Sequence, residues 1–271
     1  MVVAAPENIG KSCWCVGLCE EILKANEDAF WLDFSLDDGE GQRLAYCMAR
    51  HNRLKLGILY GTAPDTEDDQ ARTAFQSFLD ASAGRYALSS VQDEELLEEL
   101  STKQFTAELI GRIMEETRAM IGPDKKLVCT VDSFHDVAIE GRYNDENELQ
   151  KQRSKALKVA GQKSDALVIA TAHARKGSRG RNLDADIVKG DNGIAFDATA
   201  VLQLYSDVNR WRDEATVFWM DDDNMEAGKM PVMEVDILKN KAGSTKKIIF
   251  FEADPSRAWQ QEASPANQSY Y

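Results

Sequence analysis

Short apolar runs alternate with stretches of helical periodicity along the first two thirds of the chain. The apolar runs predict strands at Met1–Ala4, Phe30–Phe34, Tyr86–Leu88, Leu127–Asp132 and Ala166–Thr171. The periodic stretches predict helices at Cys13–Lys24, Gln42–Leu54, Glu67–Ala83, Lys103–Ile121 and Glu148–Gln162. Continuous apolar strands that alternate with helices are typical of an α/β protein with a mostly parallel central sheet and helices on both faces.

The last third of the chain has a different pattern. Its predicted strands follow one another without a helix between them, at Ala200–Tyr205, Val217–Met220, Val232–Leu238 and Ile248–Phe251. They are expected to extend the sheet in antiparallel fashion. With no internal repeat and no linker, residues 1–263 are expected to form one domain, followed by a flexible C-terminal tail at 264–271.

The net charge of −14 over 271 residues argues against a protein whose whole surface is basic and binds nucleic acid. One stretch opposes this trend. Between His173 and Lys189 the basic residues outnumber the acidic ones, and any polyanion partner is expected to bind there. The candidate contacts are Arg175, Lys176, Arg179, Arg181 and Lys189.

Cysteine placement and hydropathy predict a cytoplasmic protein. Cys13, Cys15 and Cys19 lie in one predicted helix and Cys129 lies in a predicted strand, which favours reduced core thiols over a zinc site. No apolar run is long enough to cross a membrane, so no membrane partner is expected.

The segment Ala5-Pro6-Glu7-Asn8-Ile9-Gly10-Lys11-Ser12 matches the pattern of a phosphate-binding loop between a strand and a helix. Backbone N–H groups of such a loop face the phosphates, and Gly10 allows their close approach. Lys11 is then expected to reach the β- and γ-phosphates, with the Ser12 hydroxyl as a ligand of Mg²⁺. The alternative is an ordinary turn that contains glycine.

Two acids follow predicted strands. Asp132 ends an apolar strand, which is the position of the carboxylate that organises Mg²⁺ in P-loop ATPases. The alternative is an aspartate that caps a turn. Asp37 follows the second strand, which is expected to neighbour the strand before the loop. At that edge a carboxylate could orient or deprotonate an attacking water. The alternative for Asp37 is a merely acidic loop.

Three further polar residues are candidates. His173 follows a strand and could contact the γ-phosphate and transmit its presence to the basic stretch; an ordinary surface or core histidine is the equal alternative. Lys239 and Lys241 stand at a predicted hairpin, which on its own indicates only a solvated turn.

The order of these motifs resembles the C-terminal RecA-like ATPase domain of DnaB-type replicative helicases. The resemblance covers nearly the whole chain, and its most specific part is Lys239-Asn240-Lys241-Ala242-Gly243 at its spacing from the phosphate-binding loop. It also includes Phe34-Ser35-Leu36-Asp37, Thr171-Ala172-His173 and Gly193–Ala198.

The resemblance implies a RecA-like P-loop fold, a homo-oligomeric ring of six subunits, ATP with Mg²⁺ between neighbours and single-stranded DNA in the central channel. It implies that the nucleotide-binding residues are Ala5, Asn8, Gly10, Lys11, Ser12 and Cys13. It matches Asp37 to the catalytic glutamate, Asp132 to the Walker B aspartate and His173 to the γ-phosphate switch residue. Lys239 and Lys241 match the basic residues that reach the neighbour's nucleotide. The loops after Asp132 and His173 match DNA-facing loops, and a primase or helicase loader becomes a possible further partner.

Three departures from the family leave alternatives open. Asp37 is one methylene shorter than the usual glutamate, and Lys241 replaces an arginine finger with a point charge. The family's linker helix and N-terminal domain do not precede the first strand, so we expect an excised domain or a minimal protein. The alternatives are a RepA-like or KaiC/RadA-like ATPase with the same core, or an assembly module that binds ATP and hydrolyses it weakly.

Overall fold

The structure is a computed structural model that describes residues 1–62, 68–90, 104–174, 188, 192–222, 228–245 and 247–263. The predicted tail at 264–271 lies outside the described residues, as do the basic candidates Arg175, Lys176, Arg179, Arg181 and Lys189.

One sheet contains the ten strands of the described residues. The strands are β1 (Val2–Ala5), β2 (Ala29–Ser35), β3 (Tyr86–Ser90), β4 (Lys126–Asp132), β5 (Ala166–His173), β6 (Ala200–Ser206), β7 (Phe218–Met220), β8 (Lys229–Asn240), β9 (Ile248–Asp254) and β10 (Trp259–Glu262). Their order is β10-β9-β8-β6-β1-β5-β4-β2-β3, with β7 paired to β8. Strands β1 to β6 run parallel, and β7 to β10 pair in antiparallel fashion.

Helices cover both faces of this sheet. The described helices are α1 (Lys11–Ala25), α2 (Glu40–Asn52), α3 (Leu56–Leu59), α4 (Asp68–Ser82), α5 (Ala107–Ile121), α6 (Glu146–Lys163), α7 (Asn192–Asp197) and α8 (Asp207–Trp211). One apolar core lies between the sheet and α5 and α6, and a second lies between the sheet and α1, α2 and α4. The expected α/β class with a mostly parallel sheet and an antiparallel C-terminal part is therefore confirmed. No helix within the described ranges has the length and apolar character that a membrane crossing needs.

Helix ends follow local capping chemistry. Helix α5 begins at Ala107 rather than at Lys103, because the Thr106 hydroxyl accepts a hydrogen bond from the Leu109 N–H at 3.1 Å. It ends at Gly122, whose φ of 84° suits glycine. Helix α6 begins after Asp145, whose carboxylate accepts from the Glu148 N–H at 2.8 Å.

The expectation for the last third was wrong in two respects. Strand β6 is parallel to β1, with Val2 beside Val201, so the antiparallel part begins only at β8. Helix α8 lies between β6 and β7, where no helix was expected. An apolar run does not encode strand direction, and α8 is too short for a periodic pattern.

The expected position of β2 was also wrong. Strand β1 neighbours β5 and β6, so β5 and β4 separate it from β2. The connection through α1 crosses over these two strands, which a parallel sheet permits. The carboxyl ends of β1, β2, β4 and β5 nevertheless share one edge of the sheet, where the predicted phosphate-binding loop, Asp37, Asp132 and His173 lie.

Candidate active site

The predicted phosphate-binding loop joins β1 to α1 and contains two residues with left-handed backbone conformations. Asn8 has φ of 62° and Gly10 has φ of 94°, a conformation that favours glycine. Gly10 stands at the N-cap of α1 and brings no side-chain cap, and the first turn of α1 contains no acidic residue. The N-terminal N–H groups and the positive end of the helix dipole are thus arranged for an anion.

Lys11 connects the loop with two carboxylates. Its Nζ donates to the Pro6 carbonyl at 3.0 Å across the loop. Burial lowers the pKa of Lys11, and the carboxylates of Asp132 and Asp37 oppose that shift. The structure therefore places Lys11 within electrostatic reach of both acids selected from the sequence.

Asp132 and Asp37 are tied together through the backbone. The Asp132 carbonyl accepts from the Leu36 N–H at 2.5 Å and from the Asp37 N–H at 3.0 Å. Asp132 is 1% exposed, and its carboxylate accepts from the Thr171 hydroxyl and from Arg43 Nη1. Asp37 itself is exposed at the sheet edge. Asp132, which is buried and held by hydrogen bonds, thus lies beside Asp37, which faces solvent.

Asp38 is a neighbour of this site that was not among the site residues selected from the sequence. Its carboxylate accepts a hydrogen bond from the Ser12 hydroxyl. Burial raises the pKa of Asp38, and Asp132 and Asp37 raise it further, while Arg43 opposes the shift. Its only signal in the sequence was its position directly after Asp37.

His173 lies at the same edge, at the end of β5. It is in register with Ala5, the first residue of the loop. Its ring stacks on His135, with centroids 5.3 Å apart and planes 15° apart. Its Nδ1 atom is buried without a hydrogen-bond partner among the described residues. The stack joins the segment after β4 to the end of β5, which are the two places where the DNA-facing loops were expected to begin.

Lys239 and Lys241 lie elsewhere. Asn240 pairs with Ala200 at the start of β6, so this end of β8 is at the edge opposite the phosphate-binding loop. Lys239 Nζ donates to the carbonyls of Ala195 and Phe196 at the end of α7. Burial lowers the pKa of Lys239, and Lys241 lowers it further. Lys241 is exposed on the turn after β8.

A cavity of about 540 Å³ opens along α1, from Trp14 to Lys24, and nothing in the sequence motifs indicated it. Among its lining residues, the Arg53 guanidinium lies 6.0 Å from the Trp259 ring centroid. The next residue, Gln260, donates to the Trp14 carbonyl at 3.1 Å, and Trp14 N–H bonds the Gly10 carbonyl. The Arg53–Trp259 pair is therefore connected to the phosphate-binding loop through two hydrogen bonds.

The residues at the carboxyl edge fit Mg²⁺ held together with phosphates. Within the described ranges, no group of three or more His, Cys, Asp or Glu side chains could hold a metal ion. Mg²⁺ in nucleotide sites commonly uses one or two protein oxygens, water and substrate phosphates. The Ser12 hydroxyl and the Asp132 carboxylate supply oxygens of that kind.

No protein-family model matches the sequence, and no curated protein matches it. Among solved structures, a DnaB-like replicative helicase described with its interactions with primase is similar at a TM-score of 0.75 and 13% identity, over 96% of this chain and 56% of that chain. A second solved structure, of an ATPase domain, is similar at a TM-score of 0.76 and 13% identity, over 97% of this chain and 84% of that chain. The chain thus has the RecA-like ATPase fold of these proteins and spans 56% of the first helicase's length. The predicted resemblance is confirmed as a likeness of fold.

Proposed function

We propose that this chain is an ATP-hydrolysing motor domain that works in an assembly and translocates on single-stranded DNA. The observation that carries the proposal is the convergence of Lys11, Asp37, Asp132 and His173 at one sheet edge, next to an uncapped helix N-terminus. The likeness of fold to a DnaB-like helicase and to an ATPase domain supports the same proposal.

Each residue then has a role in phosphoryl transfer to water. The loop amides and Lys11 bind the phosphates, and Ser12 and Asp132 hold the metal. Bound Mg²⁺ supplies stabilisation of the negative charge on the phosphate oxygens. Asp37 positions the attacking water and accepts its proton, and His173 responds to the γ-phosphate.

The Arg53–Trp259 pair is proposed to hold the nucleotide base. The Arg53 guanidinium makes a cation–π contact with the Trp259 ring, and both side chains line an open cavity in which a base could stack on them. The hydrogen bonds through Gln260 and Trp14 fix it relative to the phosphate-binding loop.

Lys241 is proposed to act on the nucleotide of a neighbouring subunit. Lys241 follows Asn240, which pairs with Ala200 at the start of β6, and β6 lies beside β1. Measured along these strands, Lys241 is about five residues, or roughly 15 Å, from the loop that follows β1. An exposed lysine at the far edge is poorly placed for its own loop. In a head-to-tail ring it can face the next subunit's loop. A hexamer is the expected ring.

DNA binding is proposed for Arg175, Lys176, Arg179, Arg181 and Lys189, which lie outside the described residues. The proposal rests on their charge, since the stretch opposes the net charge of −14. Primase is a proposed partner only because the DnaB-like neighbour was described with its interactions with primase.

A weakly hydrolysing assembly module is the second candidate. The observation that favours it is Asp37, a short and exposed side chain where the family has a glutamate. RepA-like and KaiC/RadA-like ATPases would share the nucleotide chemistry and differ in the nucleic acid or in unwinding.

Steady-state ATP hydrolysis with and without single-stranded DNA tests the proposal. We expect Mg²⁺-dependent turnover that DNA stimulates, together with strand displacement on a forked duplex. Turnover without DNA stimulation would favour the assembly module. DNA stimulation without strand displacement would favour the RepA-like or KaiC/RadA-like alternatives.

A further inference from the structure

Helix α2 places an arginine in the interior of the protein, between two acidic strand residues. Arg43 is 0% exposed. Its Nε and Nη2 atoms donate to the two carboxylate oxygens of Asp33 at 2.7 and 2.8 Å. Its Nη1 atom donates to Asp132 Oδ2 at 2.8 Å. One guanidinium thus holds two strands, β2 and β4, at once.

Both carboxylates have further partners. Asp33 also accepts from the hydroxyls of Thr130 and Tyr86. Asp132 Oδ1 accepts from the Thr171 hydroxyl of β5. Each oxygen of Asp132 therefore carries one hydrogen bond from a fixed donor, and the carboxylate cannot rotate without breaking one of them.

Stability alone does not explain this buried network. Well-packed apolar side chains often replace a buried ion pair without loss of stability. Burial opposes the charge of Arg43, but Asp33 and Asp132 outweigh it and raise the pKa of Arg43 well above its ordinary value. Two carboxylates and one guanidinium leave one net negative charge beside Lys11.

We infer that Arg43 is a positioning residue for Mg²⁺-dependent nucleotide binding, which fixes the Asp132 carboxylate in the orientation that would serve a metal held together with Ser12. The inference rests on the proposed function, since Asp132 acts only if this edge binds nucleotide. The two bonds to Asp33 anchor the guanidinium, and its bond to Asp132 Oδ2, together with the Thr171 bond to Oδ1, sets the angle of that carboxylate.

A purely structural role makes a different prediction. If Arg43 only neutralises Asp33, then the double variant Asp33→Asn/Arg43→Gln, which lacks both charges, should have a normal thermal midpoint and normal Mg²⁺ dependence. If Arg43 positions Asp132, the double variant should recover the thermal midpoint but not the Mg²⁺ dependence of nucleotide binding. The two roles can therefore be separated by measuring both quantities on the same variants.

The experiment measures the thermal midpoint and the Mg²⁺ concentration for half-maximal binding of a fluorescent ATP analogue. Arg43→Gln should raise that Mg²⁺ concentration roughly 10- to 100-fold, as loss of a partner of a metal ligand commonly does. Arg43→Lys should not restore it, because an ammonium lacks the planar fork that spans both acids. Thr171→Val, which keeps the shape and removes the other bond to Asp132, should shift it in the same direction.

Arg118 provides a matched control on α5. Its guanidinium donates to the carbonyls of Ser164, Gly122, Lys125 and Asp165, and it has no role in the proposed site. Arg118→Gln should lower the thermal midpoint without changing Mg²⁺ dependence.

Recovery of normal Mg²⁺ dependence in the double variant would overturn the positioning role, as would normal Mg²⁺ dependence in both Arg43→Gln and Thr171→Val. Wild-type protein that binds the analogue with Mg²⁺ but does not hydrolyse ATP would overturn the proposed function, while the binding series still decides the role of Arg43. Absence of Mg²⁺-dependent binding in the wild type would overturn both.

Discussion

Lys11 is the residue on which the proposed chemistry of the site depends most directly. It reaches the Pro6 carbonyl across the loop and lies in the field of Asp132 and Asp37. Its ammonium is held by the loop and the acids and does not contribute to an apolar core. Its removal should therefore affect turnover far more than folding.

Lys11→Ala should lower the steady-state ATPase rate roughly 10²- to 10³-fold, the usual cost of losing one preorganised donor. The circular dichroism spectrum should not change. Lys163→Ala is the control, because Lys163 lies at the end of α6 in an exposed pair with Glu115. Near wild-type turnover of Lys11→Ala would mean that this loop does not bind the phosphates of ATP.

Asp37 and Asp38 can be separated by the same amide substitution. Asp37→Asn should slow hydrolysis by roughly 100-fold or more and leave ATP binding intact, because it removes a base but keeps size and polarity. Asp38→Asn removes the charge beside the Ser12 hydroxyl and should weaken Mg²⁺-dependent binding instead. Rates and nucleotide affinities of both variants are the measurements. If binding and turnover fell together in Asp37→Asn, Asp37 would be structural.

Residues within one contiguous motif could be predicted from the sequence, whereas residues joined by tertiary register could not. Lys11 and Ser12 were found because the loop pattern is local. Arg43 was missed because its contacts depend on how α2 packs over β2 and β4. Arg53 and Trp259 meet only because β10 folds back beside α1.

At the scale of elements, the sequence predicted where most strands and helices lie but not how they pair. Periodicity identifies an element, whereas the separation of β2 from β1 by two strands depends on the crossover. Close contacts between elements can be marked in the sequence by a glycine inside a helix, and Gly17 in the middle of α1 is an example. A Cβ there would lie 2.4 Å from Gln260 Nε2 and 2.8 Å from Arg50 Cζ.

Gly17→Ala should therefore be less stable than Gly41→Ala, because both alanines gain helix propensity and only the one at position 17 displaces two side chains, at a cost of about 1 kcal/mol or more. Gln260 would have to leave the Trp14 carbonyl, and Arg50 would have to leave the Gln260 carbonyl. Thermal unfolding should show a lower midpoint. Gly41→Ala is the control, because a Cβ at Gly41 of α2 meets nothing within 4 Å. Equal midpoints in the two variants would contradict close packing as the cause.

At the scale of the whole molecule, the two ends of the parallel strands carry different parts of the proposed reaction. The phosphate-binding loop is at the carboxyl edge, and Lys241 is at the opposite edge beside the start of β6. A complete site then needs two subunits. ATPase activity per subunit should rise with protein concentration, and DNA that tethers subunits should strengthen the rise.

Mixing two inactive variants tests whether Lys241 acts across an interface. Lys241→Ala should leave the nucleotide affinity of an isolated subunit nearly unchanged while lowering turnover of the assembly, and Lys11→Ala should lose turnover in its own loop. In a mixed ring, some interfaces join the intact loop of a Lys241→Ala subunit to the intact Lys241 of a Lys11→Ala neighbour, because head-to-tail contacts take one surface from each subunit. Activity should therefore partly recover and peak near equal mixing. No recovery at any ratio, with mixed assembly verified by light scattering, would mean that Lys241 does not serve a neighbouring site.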